Sequence, residues 1–275
     1  MQARELWSPE DQESLAVFEV AVHSGDLAGA LLALEGAPVV METACRSRLQ
    51  DLGSLVKAEA AHDDPAHALV RVLVQREGFR GDTAEDMEPQ DSHLGMVLAR
   101  RRGQPIVLSA LWILAGEQAG IPVEGIGLPG HFIVRVGGVG GVLADPFGGG
   151  SLLSVADCAA IVHKASKGSL GWQPSFLTPA SVAEIAERVV RNLLGAYQHT
   201  GETEMIYRTS HFLVALRPND PDVQFLRARL ADELGARVTA RELYTSVEEH
   251  FPGTEAADAA GARLHEMRAE HVELN

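Results

Sequence analysis

His131 and Asp145 are the residues of this 275-residue chain whose types and spacing best suit chemistry. His131 opens an apolar run that continues through residues 132–136, and Asp145 lies near the end of a second run, 142–146. The glycine-rich residues 137–141 join the two runs, and short apolar stretches joined this way predict a β-hairpin. In an antiparallel hairpin any even register puts both side chains on one face, and a turn centred on Gly138 would place them directly opposite. An imidazole held by a carboxylate is the base and orienter of nucleophilic catalysis. Such a pair needs a nucleophile, and no obvious one accompanies it.

The element that must carry the site is the helix before the hairpin. Pro105 suits its first position, Gly120 ends it, and Ser109 is the only polar residue between Ile106 and Ala115. A helix apolar on every side belongs in the middle of a domain. Ser109 is therefore expected either to bond back to a carbonyl one turn earlier or to serve a polar purpose. Upstream, residues 14–34, 42–60 and 65–76 carry apolar positions at helical spacing. Residues 78–92 are polar and turn-rich, and a short helix follows over 92–101, with Asp91 or Ser92 as its expected cap. Arg100, Arg101, Arg102 and Gly103 read as an ordinary helix end, since cations complement the carbonyl pole. The competing reading is that the arginines hold a carboxylate or line a cleft.

Downstream, residues 154–164 form a capped helix carrying Cys158. A proline- and glycine-marked break spans 168–179, and residues 181–274 read as helices only. Gly201 and Gly235 lie 34 residues apart, as do Pro218 and Pro252. That is the period of tetratricopeptide helix pairs. The fold class is therefore α+β and mostly helical: a core with a small antiparallel sheet and an all-α helical-repeat region. The expected domains are 1–85 for the N-terminal helical part of the core, 86–172 for the core itself and 180–270 for the repeats.

Composition narrows the function. A net charge of −15 disfavours nucleic acid, whose binding rests on basic residues. No apolar run is long enough to span a bilayer, and the first ten residues do not read as a signal peptide. Two cysteines without paired spacing, Cys45 and Cys158, favour a reducing compartment, so a cytoplasmic location is expected. Cys45, on a helical apolar face, reads as a core residue.

Several motifs together resemble the transglutaminase-like superfamily, of papain-related fold. They are Gly-Phe-Arg-Gly at 78–81, Pro-Gln-Asp-Ser-His-Leu at 89–94, Arg-Arg-Gly-Gln-Pro-Ile at 101–106, Gly-Leu-Pro-Gly-His-Phe at 127–132 and Asp-Pro-Phe at 145–147. More narrowly they resemble its SirB-type branch with C-terminal tetratricopeptide-like repeats. The resemblance implies a catalytic His at His131 and an orienting Asp at Asp145. It also implies a Cys nucleophile at the start of the central helix, where this chain has Pro105. The branch commonly lacks that cysteine. It commonly has Asn where Asp91 stands and an aromatic where His93 stands. Pro129, Gly130, His93, Arg101, Arg102, Gly103 and Pro105 are the residues expected to line a cleft.

Three readings follow. In the first the chain is a pseudoenzyme that binds a protein or peptide, without cofactor. In the second it is a hydrolase or acyltransferase in which Ser109 or Cys158 replaces the missing cysteine. In the third His131, Asp145 and His93 hold a metal, which no metal-binding spacing supports, so no metal is expected.

Overall fold

The structure, a computed structural model, describes residues 7–82 and 88–273. The first six residues, residues 83–87 of the polar stretch and residues 274–275, the first of which ends the last expected helix, lie outside the described residues. The chain divides into two compact units, residues 20–189 and residues 1–19 with 190–275.

In the first unit the helices are α1 (Pro9–Ser24, shared with the second unit), α2 (Leu27–Leu34), α3 (Val39–Ala60) and α4 (Pro65–Leu69). Asp26 and Asp64 cap α2 and α4 by accepting the free N–H groups of Gly29 and Ala66. Residues Val70–Arg76 extend α4 as a π-helical stretch. After it come a two-residue strand β1 (Arg80–Gly81), a 3₁₀ turn (Pro89–Ser92), α5 (Leu94–Arg100), a second short strand β2 (Arg102–Gly103) and the central helix α6 (Pro105–Ala119). β1 and β2 pair in parallel. α6 is buried on nearly every side, as its composition requires, and Gly120 closes it at φ 73°. It packs on α3 and on the sheet.

The sheet has four antiparallel strands in sequence order: β3 (Val123–Leu128), β4 (His131–Val136), β5 (Val142–Asp145) and β6 (Ser151–Leu153). Two of these strands were not expected. β3 reads poorly as a strand because Gly125 and Gly127 interrupt it. The structure shows why glycine stands at 125, where a Cβ would come within 2.9 Å of the Phe132 ring. The β4–β5 ladder pairs Val134 with Ala144 and Val136 with Val142, so the turn centres on Val139, not Gly138. The register is still even. On one face Ile126, Leu128, Ile133 and Leu143 form a cluster with Cys158 and Val162 of α7 (Val155–Ala165), while Phe132, from the alternate positions, lies near Ile113 of α6. Residues 174–180 cover the outer edge of β3, where Ala180 donates to the Gly125 carbonyl at 2.8 Å.

The second unit contains the end of α8 (Val182–Thr200), α9 (Thr203–Leu216), α10 (Pro221–Glu233), α11 (Arg237–His250) and α12 (Glu255–Glu273). α9 and α11 have 14 residues each, and their flanks match. Gly201 and Gly235 precede them at φ 74° and 76°. Arg217 and Phe251 end them at φ −132° and −126°. Trp7 stacks on His211 with ring centroids 3.9 Å apart, and Phe18 meets Phe212 edge-on at 5.1 Å. These contacts join residues 7–19 to α9.

Candidate functional site

β4 begins at His131 and β5 ends at Asp145, so two neighbouring strands deliver the pair from their adjacent ends. Nε2 of His131 lies 2.9 Å from Oδ2 of Asp145, with the side chains only 16% and 14% exposed. The other carboxylate oxygen, Oδ1, accepts the N–H groups of Phe147 at 3.1 Å and Gly148 at 3.0 Å. Both oxygens are thus satisfied, and the carboxylate has one orientation. Gly148 permits this, because a Cβ there would fall 2.7 Å from Oδ2. An imidazole that donates Nε2–H to a carboxylate keeps Nδ1 as its acceptor, the state a base requires.

The turn before His131 is Pro129-Gly130. Gly130 adopts φ 75°, and a Cβ on it would lie 2.5 Å from that of Ala165. Arg188 of α8 secures the turn. Its guanidinium donates to the His131 carbonyl at 3.0 Å and the Leu128 carbonyl at 3.4 Å, and its Cζ lies 5.3 Å from the centre of the Phe132 ring. Burial pulls the Arg188 pKa down. Nothing in the sequence marks Arg188, which lies 57 residues beyond His131.

The Phe147 ring stands edge-on to His131 at 6.1 Å. On its other side it fills the space beside Gly81, where a Cβ would lie 2.6 Å from the ring. Gly81 pairs with Gly103, two residues before Pro105. A continuous set of contacts therefore runs from the dyad to the start of α6. Gln104 gives its N–H to the Asp91 carbonyl at 2.8 Å, and Pro105 has none to give.

Both candidate substitute nucleophiles are buried. Ser109 is fully buried and donates to the Phe132 carbonyl at 3.4 Å, so of its two expected roles it does not take the bond back along its own helix but a polar contact across to the sheet. Cys158 is fully buried among Ile126, Ile133 and Leu143. Burial raises its thiol pKa, and the nearby Asp157 raises it further. A thiol that resists ionisation makes a poor nucleophile.

The arginine run does more than end a helix. Arg100 donates to the buried Asp91 carboxylate at 3.1 Å and to Glu88 at 3.4 Å. Arg101, and not Gly103, takes the left-handed conformation at the helix end, at φ 61°, and it pairs with Glu77, which also binds Arg48. Gly103 instead makes room for Val97, whose Cγ2 would lie 2.6 Å from a Cβ. Nor does Asp91 or Ser92 cap α5. Glu35 does so from 60 residues away, its Oε1 accepting the Gly95 N–H at 2.8 Å. Burial pushes the Glu35 pKa up to about 7 and pulls that of His93 down to about 4. Among the described residues no hydrogen bond or ring contact joins His93, Arg101 or Arg102 to His131, and no three His, Cys, Asp or Glu side chains are grouped to hold a metal.

The sequence pattern of the transglutaminase-like superfamily matches residues 43–191, from α3 to α8. The chain belongs to the transglutaminase-like superfamily. A UPF0162 protein of Xylella fastidiosa is 31% identical over 212 residues, covering 76% of this chain and 75% of that protein. One from Pseudomonas aeruginosa is 28% identical over 211 residues, covering 75% and 74%. F-box only protein 21 of Homo sapiens is 28% identical over 180 residues, 61% of this chain but 28% of that protein. No solved structure matches. The transglutaminase-like span holds Pro105, His131, Asp145 and Arg188, and excludes α9–α12.

Proposed function

We propose that the chain is a transglutaminase-like pseudoenzyme of the SirB-type branch that binds a protein or peptide without covalent catalysis. Its helix pairs of 34-residue period are tetratricopeptide-like. The observation that carries this reading is the state of the nucleophile's seat. Pro105 occupies the first position of α6, while Ser109 and Cys158 are both sealed from solvent. What remains is an ordered His131–Asp145 pair whose bonds hold the ends of β4 and β5 together. The matching span is a minor part of the longer F-box only protein 21, which suits a module that works attached to other segments.

The test is labelling with acylating and thiol-directed active-site probes. The reading requires no modification that depends on His131, and a His131→Ala variant that loses stability and no turnover. Labelling abolished by Ser109→Ala or Cys158→Ala would overturn it. One observation favours a second reading, hydrolysis of an activated ester or amide: Nε2 is the ring nitrogen on Asp145, so Nδ1 can accept a proton from water. Turnover of a p-nitrophenyl ester that is lost in His131→Gln would support that alternative.

A further inference from the structure

Three successive arginines have different fates. Arg100 is bound to Asp91 and Glu88, and Arg101 to Glu77. Arg102 is exposed and makes no hydrogen bond or ion pair through its side chain among the described residues, apart from a longer-range attraction to Asp91. Its partner across the parallel β1–β2 ladder is Arg80, also exposed and also without an ion pair among the described residues. The ladder is therefore two-faced. Gly81 and Gly103 point inward, toward Phe147 and Val97, and the alternation of a strand turns Arg80 and Arg102 outward together. Like charges directly opposite each other on a ladder repel, at a strand separation of about 4.8 Å. In a chain of net charge −15, two adjacent exposed arginines without an ion pair among the described residues stand out against their surroundings.

We propose that Arg80 and Arg102 dock an acidic segment of a partner protein through its carboxylates. Each guanidinium presents a planar fork that matches one carboxylate, so two forks at ladder spacing suit two acidic side chains of an extended strand. Binding relieves the repulsion within the pair. The net negative charge opposes approach from afar but is screened beyond about 8–10 Å at physiological ionic strength, so recognition is short-ranged. The inference names a partner chemistry for the binding role above and rests on that reading.

The experiment is a fluorescence-anisotropy titration of the full chain with a labelled glutamate-rich decapeptide. A glutamine-matched peptide, a phosphoserine-matched peptide and a single-stranded oligonucleotide serve as comparisons. The glutamate peptide should bind, and more weakly as salt is raised. Arg80→Gln and Arg102→Gln should each weaken it at least about threefold and together at least about tenfold, while Arg76→Gln, an exposed arginine off the ladder, leaves it unchanged. Absence of binding, equal loss with Arg76→Gln, or preference for the phosphopeptide or the oligonucleotide would overturn the proposal. Equal binding of the glutamate and glutamine peptides would remove the arginine pair and leave the binding role standing. The probe-labelling experiment alone bears on the absence of catalysis.

Discussion

Asp145 shows how much one side chain can fix. Its two oxygens receive His131 Nε2, Phe147 N–H and Gly148 N–H, so it orients the imidazole and closes the loop after β5 at once. Asp145→Ala should cost about 2–3 kcal/mol in urea denaturation, because buried bonds to a charged acceptor are lost and their donors are left without partners. Glu35 predicts a pH dependence. Its carboxyl is raised from the ordinary 4.5 to about 7, so between those values the native state holds a proton that the unfolded chain has released. Stability therefore falls as pH rises from about 4.5 to 7, by on the order of 1–3 kcal/mol. Glu35→Gln should flatten that slope in midpoints measured at pH 5 and pH 8. A slope that persists unchanged would assign it to another group.

At the scale of elements, the β3–β4 turn is the most constrained piece of the site. Gly130 has a left-handed backbone and no room for a Cβ, and Arg188 ties both flanking carbonyls. Gly130→Ala should destabilise by about 2 kcal/mol or more, through strain and collision with Ala165, and lower the melting temperature accordingly. Arg188→Met removes the two bonds while keeping much of the packing on Phe132. It should broaden or lose the downfield proton resonance of the His131–Asp145 bond, and Arg188→Lys should restore it in part. α5 teaches a related lesson. Its N-terminal N–H groups are satisfied by Glu35, a residue of another part of the chain, where a local cap at Asp91 or Ser92 was the natural expectation.

For the whole molecule, the two units each have their own apolar interior, and one of them is built from both ends of the chain. Trp7 and Phe18 rest on His211 and Phe212, so the N-terminal residues need α9. A chain ending at Thr200 should become protease-sensitive within residues 7–19 while residues 20–189 resist cleavage, as limited proteolysis with mass spectrometry would show. Cleavage that begins instead in the sheet would mean that the larger unit depends on α9–α12. Among the described residues no helix is long and apolar enough to cross a membrane.

The sequence by itself determined the helices with strong apolar periodicity and the buried character of α6, and it permitted His131 to meet Asp145 in any even register of the hairpin. These are properties of spacing, and spacing is written locally. The 34-residue spacing of Gly201 from Gly235 and of Pro218 from Pro252 was legible for the same reason, since turn glycines and helix-closing prolines are local signals. Tertiary structure alone decided the rest. It turned β4–β5 on Val139, paired β1 with β2, made a strand of glycine-broken residues 123–128 and brought Arg188 to the His131 carbonyl. It also separated three arginines that look alike in sequence into two that answer buried carboxylates and one that faces outward beside Arg80. Those outcomes depend on which distant groups arrive at hydrogen-bonding distance, and no local pattern encodes that.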